Sequence, residues 1–205
     1  GDSFKVTKDH RLFIANHWKQ IANYPKNMVR TAFNYIDQSM ADVLNNGWAT
    51  SYTDVYGQTV DGTTPDNVAL FSAAHKVSAN SKPFSNIIVE GAVVNPALTR
   101  SALVAAKVMA SRATDSNGVL SPIQIDTLLV SPEDEDAARI IVESKQRSGT
   151  GNNDINPQET VGGIKVMVWN RLKAGQWFIY DSSMVGETFA EEKKKKPQLS
   201  KPTEY

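Results

Sequence analysis

Residues 126–141, DTLLVSPEDEDAARII, decide the fold class, because a strand runs directly into a helix there. The run from Asp126 to Val130 is short and apolar, which is typical of a buried strand. Ser131 then fits a helix N-cap, Pro132 fits the first helical position, and the acidic residues that follow complement the helix dipole. The stretch therefore predicts a short buried strand followed at once by a helix.

Downstream of this junction the sequence predicts further strands. Residues 148–157, SGTGNNDINP, predict a flexible loop. The words IKVMVW (164–169) and QWFIY (176–180) predict two strands joined by the turn-like NRLKAG. The helix that begins near Pro132 is predicted to have an inner face made of Ala137, Ile140 and Ile141.

The longest predicted helix lies upstream, from about Lys26 to Asn46. Its apolar residues recur at steps of four, three, four and three, which is the spacing of one helical face. At about 1.5 Å per residue the helix would extend roughly 30 Å, long enough to brace a domain. The residues of this face are Val29, Phe33, Ile36, Met40 and Val43.

The flanks of this helix are less regular. Phe4–Asn16 alternates loosely and predicts a β-ribbon, which Pro25 separates from the helix. Residues 47–90 show no clear periodicity, and a stretch of that length is normally functional or packed against a partner. Asn95 and Pro96 predict the start of a second long helix. The face of that helix is predicted to be Leu98, Ala102, Ala105 or Ala106, and Met109.

Composition narrows the classes of function. The 205 residues include 22 basic and 22 acidic side chains, so the formal net charge is +0. A general binder of nucleic-acid phosphates carries a basic excess, which is absent here apart from one lysine run. The chain has no cysteine, which excludes disulfides, thiolate metal sites and cysteine nucleophiles. No apolar run approaches the roughly 20 residues that cross a bilayer, so no membrane contact is predicted.

The three histidines form no catalytic or metal-binding pattern. His10 and His17 lie without an HExxH-like motif, so no metal is predicted. His75 has no serine elbow nearby, since Ser72 is outside a GxSxG context and Asp66 fits a turn. A packed or hydrogen-bonded role is predicted for His75. A hydrolase that pairs His75 with an acidic residue is the alternative.

The other candidate motifs have structural explanations. The acidic run Glu133–Asp136 suits the first turn of a helix without a bound cation. The glycines between 149 and 163 lack the GK[ST] of a phosphate loop, so no nucleotide or other cofactor is predicted. The run Lys193–Lys196 beside two glutamates predicts a solvated tail. No catalytic, cofactor-binding or metal-binding residue is assigned, and the chain is predicted not to be an enzyme.

Several short sequence motifs, in their order along the chain, resemble those of a known family. They are DG (61–62), ALFSAAH (69–75), SN (85–86), DSNG (115–118), DTLLVSP (126–132), AARIIVES (137–144), GGIKVMVW (162–169) and WFIYD (177–181). Together, over about Val29–Asp181, they resemble the major capsid proteins of tailed phages. Within that group the chain is similar to the Mu-like head subunits with the HK97-type fold.

This resemblance implies an α+β capsid fold with a long spine helix, a peripheral β-sheet, an axial domain and an extended loop. Residues 1–24 would be the returning arm of the extended loop, and 25–94 the peripheral domain with the spine helix at 26–46. Residues 95–180 would form the axial domain, and 181–205 the return to the peripheral domain and the charged tail. Family members are generally longer, so a partial chain is expected.

The implied function is that of a structural head protein that self-assembles into an icosahedral shell around phage double-stranded DNA. Its partners would be copies of itself in hexamers and pentamers, scaffold, portal or decoration proteins, and DNA without sequence-specific contact. Such a subunit is assembled in the cytoplasm of a bacterial host and is located in the virion. An encapsulin-like or gene-transfer-agent compartment remains open as an alternative, and so does a monomeric binding module.

Overall fold

Helix α1 (Asn16–Asn46) is the longest element, at 31 residues. It is seen in a computed structural model, which describes residues 16–76, 78, 81–115, 117–144 and 163–184. The chain divides into two compact units, one formed by residues 1–40 with 191–205 and the other by residues 41–190. All the strands described below belong to the second unit.

The start of α1 differs from the prediction. The helix begins at Asn16 rather than at Lys26, so that Pro25 lies inside it. Proline has no amide hydrogen to donate to the carbonyl one turn earlier, but its fixed φ is compatible with a helix. Pro25 therefore removes one hydrogen bond without ending the element, and residues 16–24, assigned above to the arm, are helical. The predicted ribbon lies outside the described residues up to position 15.

The larger unit contains a three-stranded sheet with β5 (Thr127–Val130) at its centre. Strand β6 (Lys165–Val168) pairs with β5 in parallel, and β7 (Trp177–Tyr180) pairs with its other edge antiparallel. All four residues of β5 are buried, because both edges carry a partner and side chains on both faces are covered. The three predicted strands are confirmed, although β6 and β7 are not neighbours and their connection crosses over β5.

The predicted strand-to-helix junction follows β5 directly. A 3₁₀ turn (Pro132–Asp134) precedes α3 (Glu135–Glu143). The Ser131 hydroxyl is fully buried and donates to Asp134 Oδ2 at 2.8 Å, and the Gly175 amide donates to the same oxygen at 2.9 Å. Asp134 thus connects the end of β5 to the loop that precedes β7.

The predicted inner face of α3 is wrong in two of its three positions. Ala137 and Ile140 are exposed, whereas Ala138 and Val142 are buried. Arg139 forms ion pairs with Glu135 and Glu143 at 2.9 Å, one turn away on either side. This row of charges fixes the solvent side of the helix, and the opposite side faces the core.

Helix α2 (Arg100–Ser111) starts later than predicted. Thr99 is the N-cap, and its hydroxyl accepts a hydrogen bond from the Ala102 amide at 3.0 Å. Pro96 instead supplies a carbonyl that accepts from Trp177 Nε1 at 2.9 Å, and Asn95 has a positive φ of 52°. These constraints keep 95–98 out of the helix. Its buried residues are Ala102, Leu103, Ala106 and Ala110.

The hydrophobic core combines the sheet with the two shorter helices. It contains apolar side chains from α2, β5, α3, β6 and β7. The small residues of α2 and α3 let the helices approach the strands closely. The members of this core are Ala102, Leu103, Ala106, Leu128, Val130, Ala138, Val142, Ile164, Val166 and Trp177.

The region predicted to be irregular, 47–90, is built from short hairpins and side-chain hydrogen bonds. Strands β1 (Ser51–Thr53) and β2 (Thr59–Asp61) form an antiparallel pair. Strands β3 (Val89–Glu90) and β4 (Val93–Val94) form a second one. The described residues are therefore mixed α and β with small sheets, which agrees with the predicted α+β class and is compatible with a capsid fold. The domain boundaries remain predictions.

Replacing Leu103 by alanine tests this core. Leu103 is fully buried on α2, so its truncation leaves a cavity, and we expect the free energy of unfolding to fall by about 2–5 kcal/mol. Urea denaturation measures the change. Val104→Ala, on the same helix at a side chain 39% exposed, is the matched control, with an expected loss under about 1 kcal/mol. Equal losses in both variants would contradict the assigned core.

Candidate assembly surfaces

The C-terminal turn of α1 is fastened to the loop between β6 and β7. Asn45 is buried, and its Nδ2 donates to the Arg171 carbonyl at 2.8 Å while its Oδ1 accepts from the Lys173 amide at 2.9 Å. Gln176 Nε2 donates to the Asn45 carbonyl at 3.2 Å. The last carbonyls of a helix lack partners within the helix, so these contacts satisfy its end and fix the loop.

The sequence predicts that the helix ends near Asn46, but it assigns no role to Asn45. Its partners lie 126 and 128 positions later in the chain, so no local pattern could reveal the contact. The informative signal is the amide side chain itself, because asparagine can donate and accept at once. Lys173 Nζ adds a contact to Asn46 Oδ1 at 3.0 Å on the exposed side.

A rigid hairpin tip lies between β1 and β2. Asp54 Oδ1 accepts from the amides of Tyr56 and Gln58 at 2.9 and 2.7 Å, which is the arrangement of an Asx turn. Gly57, with φ of 79°, completes the turn in a conformation that favours glycine. The side chains of Val55 and Tyr56 are 61% and 50% exposed. The turn therefore holds two apolar side chains out in solvent.

An open groove of about 900 Å³ lies within the unit formed by residues 41–190. Trp48, Phe71 and Phe178 line it as a series of rings, with centroids 4.8 Å and 5.2 Å apart. Gly47 makes this stack possible, because a Cβ there would lie 2.8 Å from the Phe71 ring. Strand β7 and the end of α2 form other parts of the wall. The lining is mostly apolar with a few polar side chains, as is common for grooves that bind a ligand or a partner.

His75 is buried, with 7% of its surface exposed, beside this groove wall. Its Nδ1 lies 2.9 Å from Asp66 Oδ2 and its Nε2 lies 3.0 Å from the Leu70 carbonyl. The ring stacks on Phe84 at 5.3 Å. Both ring nitrogens are engaged, so neither is placed to take a proton from a hydroxyl or a water molecule. The predicted packed, hydrogen-bonded role of His75 is what the geometry shows.

Asp66 organises the segment around His75. Beyond the histidine contact, it accepts from the Thr64 hydroxyl at 2.5 Å and from the Lys76 amide at 2.8 Å. These hydrogen bonds, that of Thr64 first, hold the pKa of Asp66 well below its usual range. One carboxylate thereby joins three parts of a segment that has little apolar burial.

A second carboxylate fastens the end of β7. Asp126 accepts from the hydroxyl and the amide of Ser182, and from the Thr127 hydroxyl at 2.8 Å. These bonds, led by that of the Ser182 hydroxyl, lower the pKa of Asp126. These three hydrogen bonds tie the start of β5 to the segment that follows β7.

Apolar side chains are also exposed on other elements. Val119 and Leu120 follow the turn at 115–118 and are more than half exposed, as are Val93 and Val94 of β4. On α1, three residues of the predicted apolar face, Val29, Phe33 and Met40, are exposed, whereas Ile36 is half-buried. Apolar side chains that are exposed singly are common on protein surfaces, and these positions are the candidates for contacts with copies or partners.

The remaining candidates from the sequence either form no site within the described residues or lie outside them. Glu133–Asp136 spans the 3₁₀ turn and the first turn of α3, as predicted. His10, the side chain of His17, and Lys193–Lys196 lie outside the described residues. Within the described part of the chain, no three acidic or histidine residues group as metal ligands, and no helix is both long and apolar enough to cross a bilayer.

Comparison with known families decides what these surfaces belong to. The family model for phage capsid protein matches residues 1–197 of the chain. The chain belongs to the phage capsid protein family. No curated protein and no solved structure matches it.

Membership of the phage capsid family confirms the sequence resemblance at the level of the family. Phage capsid proteins are structural and non-enzymatic, they are located in the virion, and the family suggests self-association into shells. The exposed apolar side chains and the fully engaged His75 are consistent with that class.

Asn45→Ala tests the attachment of α1 to the β6–β7 loop. The substitution leaves the Arg171 carbonyl and the Lys173 amide without their partner, and we expect the free energy of unfolding to fall by about 1–3 kcal/mol. Asn46→Ala is the matched control, because its side chain contacts only its own helix and an exposed lysine. Urea denaturation of both variants measures the difference. A larger loss for Asn46→Ala would contradict the assigned attachment.

Acid should weaken the segment that Asp66 organises. Because the folded-state pKa of Asp66 lies below its unfolded value of about 3.9, its contribution to stability is complete above that value. The contribution is lost as the pH falls through that value toward the folded pKa. The Asp66 carboxylate becomes protonated over a range of about pH 5 to pH 2. The melting temperature of the wild type should therefore fall more steeply over this range than that of Asp66→Asn.

The pH dependence of the melting temperature that remains in Asp66→Asn can also be predicted. Asp61 and Asp126 have lowered pKa values, through hydrogen bonds from Thr63 and Ser182, and they are retained in Asp66→Asn. The variant should still lose stability in acid, though less than the wild type. Identical pH profiles of the two proteins would show that Asp66 does not stabilise the fold through its ionised form.

Proposed function

We propose that this phage capsid protein is the major head subunit of a tailed phage, with the HK97-type fold of the Mu-like group. Copies would associate as hexamers and pentamers into an icosahedral shell that encloses double-stranded DNA. In this proposal, residues 26–46 are the spine helix within α1, and 95–180 are the axial domain that contains β5. Assembly would take place in the cytoplasm of the bacterial host.

The observation that carries this proposal is the match of the phage capsid family model to residues 1–197. Exposed apolar side chains on α1, at the β1–β2 tip, on β4 and after the 115–118 turn are candidate contact positions. A single docking site would need one such patch, whereas a closed shell needs several different contacts for each subunit. Each contact can be weak, because repeated contacts in a closed assembly reinforce one another.

Charge and polar geometry support a wall rather than a reactive or polyanion-binding protein. The formal net charge is +0, so the subunit as a whole does not attract DNA phosphates. DNA would be enclosed by the shell rather than bound tightly by it. His75, the one histidine considered as a catalyst, has both nitrogens occupied within the segment.

Assembly of the purified full chain tests the proposal. We expect light scattering after size exclusion to show species far above the 22.5 kDa of one chain, with the share of large species rising with protein concentration. Negative-stain images should show closed particles or five- and six-membered rings. Nuclease-protected double-stranded DNA in particles from the natural host would support the head-protein assignment.

The other outcomes separate the alternatives. A chain that stays at the mass of one copy up to millimolar concentration, with a cooperative melting transition, would contradict self-assembly and favour a monomeric binding module. Closed particles from the host that contain protein cargo would favour an encapsulin-like compartment. Short fragments of host DNA in them would favour a gene-transfer agent.

A further inference from the structure

The solvent side of α2 is apolar and basic. Residues 100–112 contain three basic side chains and no acidic one. Val104 and Val108 lie one turn apart on this helix, and they are 39% and 44% exposed. Arg112 follows Val108 by one further turn, is exposed, and forms no ion pair within the described residues. These three side chains are the basic face of α2.

The solvent side of α3 has the opposite charge. Residues 133–143 contain five carboxylates and one arginine, and that arginine is already paired within the helix. Asp136 is exposed and forms no ion pair in the part of the chain that the structure describes. Ile140 lies one turn after Asp136 and is 52% exposed. These two side chains are the acidic face of α3.

The two faces match in spacing as well as in charge. On α2 the cation follows an exposed valine by four residues, and on α3 the carboxylate precedes an exposed isoleucine by four. In an antiparallel pair of these helices, Arg112 lies opposite Asp136 of the partner subunit. Val108 then lies opposite the partner subunit's Ile140. Both faces are exposed within the unit formed by residues 41–190, so they are open to a second copy.

The antiparallel direction is favoured over the parallel one. A parallel pair would place Arg100 opposite Asp136 of the partner subunit, but Arg100 is half-buried, whereas Arg112 is exposed. The antiparallel pair also brings the positive N-terminal end of α3 next to the negative C-terminal end of α2. In the parallel pair like ends of the two helices would meet.

We propose that the basic face of α2 binds the acidic face of α3 in a second copy of this chain, with the two helices antiparallel. This inference rests on the proposed function, since it names one of the contacts between self-assembling copies. The two faces differ, so each copy uses α2 toward one neighbour and α3 toward another. A contact of this head-to-tail kind closes into a ring when the rotation between successive copies permits it.

The size of the contact indicates its strength. Helix α3 has nine residues and is therefore about 14 Å long and about 10 Å wide. The contact is smaller than the roughly 800 Å² per partner of a stable interface, so it would be weak alone and would gain from the other contacts of an assembly. Its ion pair is exposed, and salt should weaken it by screening.

A charge-swap series in the full chain tests the contact. Arg112→Asp places two carboxylates opposite each other, and Asp136→Arg places two cations opposite each other. We expect each single variant to raise the concentration of half-association roughly tenfold at low ionic strength, because an attraction becomes a repulsion. The double variant restores an opposite pair at every contact, so its association should return to within about threefold of the wild type.

Mixing the two single variants tests whether the pair joins different copies. The α2 of Arg112→Asp and the α3 of Asp136→Arg carry opposite charges, and the reverse combination is the wild-type pair. An equimolar mixture should therefore associate to within about threefold of the wild type, although each variant alone does not. Rescue by the double variant without rescue by mixing would place the pair within one chain and overturn the inference.

Sedimentation velocity over a concentration series measures these changes, and circular dichroism confirms that each variant is folded. Arg100→Asp is the matched control, because it reverses the same charge at the other end of α2 and should change association by less than about threefold. In about 0.5 M salt the wild type and the single variants should become more alike. If a charge reversal unfolds the chain, Arg112→Gln and Asp136→Asn remove the charge alone, and each should weaken association about threefold.

Three other results would overturn the inference. If the wild type associates and the folded single variants associate equally well, the copies meet elsewhere, and self-assembly stands without this contact. If Arg100→Asp weakens association more than Arg112→Asp and is rescued by Asp136→Arg, the helices pack parallel. A wild type that stays at the mass of one chain would contradict the proposed function and this contact together.

Discussion

Strand β5 is covered on both edges and on both faces, and the larger unit depends on that condition. A strand buried in this way leaves none of its backbone groups to water, so each must find a partner in β6 or β7. Within the described residues, each of these two strands pairs in the sheet with β5 alone. A shift of β5 by one residue in its pairing register would turn Leu128 and Val130 away from the core that they share with α2 and α3.

In the same unit, polar side chains rather than apolar burial hold the segment between β2 and β3. Between β2 and β3, the chain is held by the carboxylate of Asp66 and by the side chain of Asn86, which accepts from the Ser72 amide and donates to the Leu70 carbonyl. Hydrogen bonds of this kind contribute about 1 kcal/mol each, and they fix geometry more than they add stability. A segment built this way can present defined surfaces while burying little of its own apolar area.

The sequence predicted the regular elements well where local pattern and tertiary burial agree. Residues 126–130, 164–169 and 176–180 were identified as strands because short apolar runs between turns have few other folded forms. The prediction for the inner face of α3 was wrong because Ile140 and Val142 are equally apolar, and the packing of Ala138 and Val142 into the core decides which side is buried. The start of α2 was wrong because the contact of Trp177 with the Pro96 carbonyl joins residues 81 positions apart.

The surfaces were harder to predict for a related reason. The apolar spacing of Val29, Phe33 and Met40 identifies a helical face, but it does not say whether that face meets the same chain or another copy. Their exposure in the single chain is a tertiary property that no local signal provides. The attachment of Asn45 to a loop 126 residues away escaped for the same reason, since local periodicity reports only on neighbours one or two turns apart.

Rigid surfaces of modest size have a specific advantage in a shell. Association costs conformational entropy for each side chain and loop that it immobilises. A surface that is already held in place therefore loses less entropy on binding. The Asx turn at Asp54 holds Val55 and Tyr56 in this way before any partner arrives, and the clamps of Asp66 and Asp126 do the same for the segments near the groove. Contacts that are individually weak dissociate quickly, which lets misplaced subunits leave, while a closed shell retains its members through many such contacts at once. Under the proposed function, the polar clamps would fix the geometry within the subunit, and the exposed apolar side chains would supply the adhesion between copies.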